Sequence, residues 1–139
     1  MEIIAPYALG VSALLLFILI VLFQGALVGA GKASANVTPG AEPDADYELK
    51  LYRAHRSHQN GTENIGAISA TLVFCILAGV SAWWVNLLMG LYLLFRLVYI
   101  FIYAQNIGNP AQSTRTFVYV AGWAMNVILA VMAIWALMT

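Results

Sequence analysis

Charge is absent from four long stretches of this chain: 3–31, 64–95, 97–114 and 116–139. That pattern limits the fold more than any other feature. A helix crossing the hydrocarbon core of a bilayer needs about 20 predominantly apolar residues. The first and last stretches each supply one such helix. The region 65–107 supplies two, with a break near Ser81–Asn86, where Ser81, Trp83, Trp84 and Asn86 suit an interfacial turn. The sequence therefore predicts an all-α, four-transmembrane-helix bundle in a single domain spanning residues 1–139. Its helices are expected near 4–30, 47–80, 84–106 and 114–137, the second running past its apolar part into water or headgroups.

Composition excludes the alternatives. The chain is 63% hydrophobic and 9% charged, whereas a soluble domain is about 45–50% apolar and about 25% charged. So few charges cannot cover a water-exposed surface, and disordered chains are poor in apolar residues. A formal net charge of zero leaves no electrostatic footprint for nucleic acid. The lone Cys75 excludes an intrachain disulfide framework and, deep in an apolar segment, should stay protonated and inert. Ala33-Ser34-Ala35 looks like a signal-peptidase site. The apolar run before it is far longer than the roughly 7–15 residues of a signal core, and its flank carries Glu2, so a retained helix is expected.

The stretch 31–46 holds Gly, Pro, Ser and Asn with Glu42, Asp44 and Asp46, and reads as a flexible loop. Asp44 or Asp46 could cap the second helix. Asn106, Gly108 and Pro110 should end the third, and Ser113 or Thr114 could cap the fourth. Lys32, Lys50, Arg53 and Arg56 flank the first loop and Arg115 the third; the other short flanks carry no Lys or Arg. The positive-inside rule then places loop 31–46 in the cytoplasm and both termini outside. It also discounts Asn36-Val37-Thr38 as a glycosylation site. Compact loops suggest a bacterial inner membrane.

The informative residues are polar ones that a membrane rejects. Arg53, Arg56, Asn60, Glu63 and Ala67 are spaced three, four, three and four apart, so they share a helix face. Tyr92, Arg96, Tyr99 and Tyr103 do the same in the third helix. Arg96 stands roughly 12 Å inside the end of its helix at about 1.5 Å per residue. Arginine at mid-membrane costs about 2.5–3.5 kcal/mol on insertion scales. Such a residue faces a partner or a hydrated cavity, and Glu63 is the expected partner. The two faces would form a positively biased pocket open to the cytoplasm; a purely structural ion-pair network is the plainer reading. Arg53 alone reads as a positive-inside anchor, and Tyr92 and Tyr103 alone as interfacial aromatics. Gly25-x-x-x-Gly29 suits close helix packing, Asn126 an interhelical hydrogen bond. His55 and His58 read as surface histidines with no third metal ligand nearby. No Ser-His-Asp set, P-loop or dinucleotide fingerprint is present.

Arg56-Ser57-His58-Gln59-Asn60-Gly61-Thr62-Glu63, opening the second helix, resembles the MAPEG superfamily, the membrane-associated proteins in eicosanoid and glutathione metabolism. Arg53-Ala54-His55 resembles an extension of bacterial members, and Arg96-x-x-Tyr99-x-x-x-Tyr103 is also similar to the family. Ala111-Gln112-Ser113-Thr114 looks like the loop of a non-enzymatic member, the five-lipoxygenase-activating protein. The resemblance implies a homotrimer that binds glutathione as co-substrate between subunits, near the cytoplasmic side. By motif position it implies Arg56, Asn60 and Glu63 as contacts for the peptide part, with Arg96, Tyr99 and Tyr103 lining the same pocket. In the family's enzymes an arginine near the start of the fourth helix stabilises the glutathione thiolate. Pro110–Ser113 stands at that place without an arginine, and Arg115 follows.

Two functions are therefore expected in competition. One is a glutathione S-transferase or peroxidase acting on a hydrophobic electrophile or lipid hydroperoxide from the bilayer, with Arg115 holding the thiolate and Tyr103 or Tyr99 donating a hydrogen bond. The other is a non-catalytic, lipid-binding or accessory subunit of a larger membrane complex. A channel or proton path through Glu63 and Arg96 is a third class, disfavoured because one buried pair per protomer makes no relay.

Overall fold

The computed structural model describes residues 2–108 and 114–139. A short 3-10 turn, Ala5–Tyr7, leads into α1 (Ala8–Ser34); α2 (Lys50–Leu77), α3 (Ala82–Ala104) and α4 (Thr114–Met138) follow. All regular structure in the described residues is helical. α1 with its leading turn, α3 and α4 are long and apolar enough to cross a membrane. α2 is not, which narrows the four-span expectation: its first half is polar, and its charge-free part within the helix is only 64–77.

The first three helices end by one device. At a Schellman stop the residue after the helix adopts a left-handed conformation, and its neighbours close back on the last carbonyls. Asn36 (φ 54°), Gly79 (φ 70°) and Asn106 (φ 54°) occupy that position. The next residues close the motif, with N–H donors of Val37, Val80 and Ile107 reaching the carbonyls of Lys32, Cys75 and Ile102 at 3.0, 2.9 and 3.0 Å. Gly79 thus stops α2 before the expected break, and Trp83, Trp84 and Asn86 lie inside the first turns of α3. Asp46 does not cap α2. Its carboxylate accepts from the Glu48 N–H at 2.8 Å in a turn that precedes the helix. Ser113, the other expected cap, lies outside the described residues.

The helices alternate in direction. At one end the Tyr7 hydroxyl donates to the Val80 carbonyl (2.6 Å), and Asn86 accepts from Gly10 N–H and donates to the Pro6 carbonyl. At the other, Arg53 links α2 to the end of α3, and Arg115 links α4 to the same place. This second end gathers Lys32, Lys50, Arg53, Arg56, Arg115 and the acids of residues 42–48; the first carries only Glu2. Between them the core packs Phe17 edge-on to Tyr92 (5.3 Å between centroids), with Ile68, Met89 and Leu129 around them. Leu15, Leu19, Leu22, Ile134 and Trp135 face outward, which suits acyl chains rather than water.

Close approach of α1 and α2 depends on glycines. A Cβ on Gly61 would stand 2.8 Å from the Val21 side chain, one on Gly31 2.8 Å from Leu51, and one on Gly25 3.0 Å from His58. Gly29 has nothing within 4 Å, so the expected Gly25-x-x-x-Gly29 contact is made by Gly25 alone. This approach also half-buries His55 and His58, contrary to their surface reading. Burial first, then the nearby Lys32, holds the His55 imidazole below its ordinary pKa, while Glu42 lies 4.0 Å away. Among the described residues the Asn126 side-chain oxygen is buried without a hydrogen-bond partner, so the expected interhelical bond is not made through that atom. Cys75 is buried, its thiol 3.4 Å from the Leu129 carbonyl.

Candidate functional site

The inward face of α2 consists of Arg53, Ser57, Gly61, Asn64, Ile68, Leu72 and Cys75. At about 100° per residue, that face is centred roughly a quarter turn from the Arg56–Asn60–Glu63–Ala67 set. The consequences differ residue by residue. Arg53 is fully drawn in rather than left as a surface anchor. Its Nε donates to the Tyr103 carbonyl at 3.0 Å, and Nη1 donates to the carbonyls of Tyr47 (2.5 Å) and Glu48 (2.9 Å). Arg56 is half-buried and donates to Gln59 Oε1 at 2.6 Å. Asn60 stands at the boundary between faces. Glu63 points outward and is exposed.

Arg96 therefore meets Asn60, not Glu63. Its Nη1 donates to Asn60 Oδ1 at 2.7 Å. Arg96 is 3% exposed, and its guanidinium lies among three rings, at 5.1 Å from Tyr92, 5.5 Å from Tyr119 and 6.0 Å from Phe17. Cation–π attraction of this kind contributes about 0.5–2 kcal/mol, more when desolvated. Among the described residues, Nε and Nη2 of Arg96 are buried without a hydrogen bond. Tyr92 is a core residue at 1% exposure, which removes its interfacial reading.

Arg115 occupies a second aromatic setting one helix away. Its guanidinium lies 4.9 Å from the Tyr47 ring and 5.0 Å from Tyr103. Nε donates to the Ile107 carbonyl at 3.1 Å and Nη2 to Asn106 Oδ1 at 2.8 Å, which ties the start of α4 to the end of α3. Tyr99 stacks obliquely on Tyr103 at 4.6 Å and reaches Tyr119 at 6.3 Å.

These groups converge on a cleft of about 170 Å³ lined by Asn60, Tyr99, Tyr103, Arg115, Thr116 and Tyr119. Behind it a void of about 10 Å³ lies among Gln24, Ser57, Asn60, Arg96 and Tyr99, room for one water molecule. Of the residues singled out from the sequence, Asn60, Tyr99, Tyr103 and Arg115 share the cleft, and Arg96 supports it from behind through Asn60. Arg56 and Glu63 do not line it. The sequence reading missed Tyr47, Thr116 and Tyr119. Tyr119 stands four residues after Arg115, a spacing that would have placed it on the same face of α4. The segment Pro110–Ser113, where an arginine was sought, lies outside the described residues.

A permanent cation ringed by phenols can hold an anion or a thiolate. Long apolar helices with such a site buried toward one end define a helical integral membrane protein with a polar centre. Residues 7–135 match the MAPEG family, and the chain belongs to it. Comparison with curated proteins returned no match. Membership fits a membrane protein of glutathione-related function in general terms.

Proposed function

We propose that this protein binds glutathione in the Asn60–Tyr99–Tyr103–Arg115 cleft and transfers its thiolate to hydrophobic electrophiles, or reduces lipid hydroperoxides, that arrive through the bilayer. The observation that carries this reading is the position of Arg115, against Tyr103 and on the cleft wall. A free thiol has a pKa near 8.5, so only a few per cent is ionised at neutral pH. A guanidinium beside the sulfur favours the thiolate, and each pKa unit of lowering is worth about 1.4 kcal/mol. Arginine suits this role because it keeps its charge when poorly solvated.

A cleft of about 170 Å³ is smaller than the roughly 300–1,000 Å³ of typical ligand sites. A homotrimer supplies the rest of the wall in this reading. Its support is the outward face of α2, where Thr62, Glu63, Gly66, Ala67 and Ala70 are exposed. Small residues suit close helix contact, and a carboxylate facing acyl chains is costly. A neighbouring copy would cover Glu63 and bring it and Arg56 to the peptide part of the ligand. In this reading α2 crosses the membrane with the other three helices. The charged end faces the cytoplasm, most simply across a bacterial inner membrane with both termini outside.

Conjugation of glutathione to an aryl halide, measured on the purified protein in detergent, tests the activity. Turnover that Arg115→Ala abolishes with the oligomer intact supports the assignment; turnover indifferent to that change removes it. One observation favours the non-catalytic reading, as a lipid-binding or accessory subunit: Arg115 already gives Nε and Nη2 to Ile107 and Asn106. Co-purification with a larger complex, and no thermal shift from millimolar glutathione, is its expected signature.

A further inference from the structure

On the far side of Tyr103 from the cleft, α1, α2 and α3 enclose a separate groove of about 410 Å³ at the charged end of the bundle. That volume lies within the range of small-molecule sites. Phe23 and Leu27 of α1 and Ile100 of α3 form its walls, and Ser57 lies in its floor. Phe23 and Leu27 are 65% and 56% exposed, so the groove opens outward, toward acyl chains. The polar groups are unevenly placed. Gln24 donates to Ser57 inside the groove at 3.1 Å. The exposed cation Lys50 stands at the end of the groove where α2 begins, the buried Arg53 lies behind it in the wall, and no carboxylate is among the residues that line it. Arg53 is held through Nε and Nη1 by three backbone carbonyls, which use three of its five N–H donors without neutralising its charge. The nearby Glu48 carboxylate is exposed and accepts from Asn106 at 3.3 Å.

We propose that this groove binds one anionic phospholipid, its acyl chain between α1 and α3 and its phosphate at Lys50. The chemistry is complementary at both ends. An apolar trough in a membrane-spanning helix pair takes a hydrocarbon chain, and a basic mouth at the level where the apolar helices meet the charged end takes an anionic headgroup. The site is separate from the cleft, and none of its readouts involves glutathione.

Tryptophan quenching by brominated lipids tests it. Leu27→Trp places a reporter in the groove wall, and Phe117→Trp places one on exposed α4 surface at the same end. The emission of the four native tryptophans is subtracted using unsubstituted protein. In vesicles, brominated phosphatidylglycerol should quench the Leu27→Trp reporter with about fivefold the apparent affinity of brominated phosphatidylcholine, the increment of one basic residue at a headgroup. Lys50→Ala in the same background should abolish that preference, and the Phe117→Trp reporter should show little preference and no response to Lys50→Ala. Equal quenching by the two lipids at Leu27→Trp, or a preference that survives Lys50→Ala, overturns the proposal. So does an absence of quenching by either lipid, which would mean that protein, such as a second copy of the chain, covers the groove.

Discussion

Arg96 and Arg115 are equally buried, at 3% exposure each, and both guanidinium groups lie among aromatic rings, three around Arg96 and two around Arg115. Their anchoring differs. Arg115 sits near the end of the bundle, tied to a backbone carbonyl and a side-chain oxygen that join α4 to α3. Arg96 lies deeper, donates to Asn60, and among the described residues keeps Nε and Nη2 buried without a geometric hydrogen bond. The contrast separates two uses of a buried cation. Arg115 is positioned by the fold and forms part of the cleft wall. Arg96 is expensive for the fold and acts on the cleft from behind, by holding Asn60 and packing on Tyr119.

The largest expected effect follows from the first half of that contrast. If Arg115 stabilises a thiolate, Arg115→Ala should lower kcat for glutathione conjugation by about 100- to 1,000-fold, the loss typical when a preorganised stabiliser of developing anionic charge is removed. Arg96→Met should not approach that value. Comparable losses in both variants would break the division of roles.

Asn60→Ala comes next. It strips Arg96 of its hydrogen bond while leaving the charge in place, and a buried donor left unpaired costs about 1–3 kcal/mol, more for a charged group. A loss of about 2–3 kcal/mol in unfolding free energy in detergent is expected. An unchanged stability would mean that the rings and a water in the void behind the cleft hold Arg96 without Asn60.

How much of this was legible beforehand depends on what each residue's role rests on. Helix number followed from charge-free runs, because burying charge in hydrocarbon is costly wherever the helix points. The pairing of Tyr99 and Tyr103 with Arg96 on one face of α3 followed from spacing alone. The orientation of α2 did not follow. Its polar set and its packing set differ by about one residue of rotation, and α2 turns by the glycine contacts at Gly25, Gly31 and Gly61, which depend on the shape of α1. Hence Glu63 was matched to Arg96 on sign and depth, whereas Asn60 holds it in the structure. The stop at Gly79 was also missed, since Trp83, Trp84 and Asn86 drew the break several residues too late; a left-handed glycine was the better signal.

Arg115→Met tests the anchoring directly. It replaces the fork by an unbranched apolar side chain and leaves Asn106 Oδ1 and the Ile107 carbonyl without their donor. Charge-assisted hydrogen bonds contribute about 1.5–3 kcal/mol each when buried. The charged end can readmit water, so a net loss of about 2 kcal/mol is expected, read as a lower unfolding midpoint in detergent.

Arg96→Met should give the smallest shift, although Arg96 is the deeper residue. The substitution loses one charge-assisted bond, about 1.5–3 kcal/mol, and the attraction of three rings. It also relieves a buried cation that costs about 2.5–3.5 kcal/mol at mid-membrane, and it removes two donors that have no partner. Methionine fills much of the same space, and replacing a buried charged group by a well-packed apolar one is often neutral or stabilising. The terms nearly cancel, so stability should stay within about 1 kcal/mol of the parent protein. A loss of more than about 3 kcal/mol would mean that Arg96 has a strong anionic partner in the assembled protein. Glu63 of a neighbouring copy would be the first candidate, and Glu63→Gln should then reproduce the same loss.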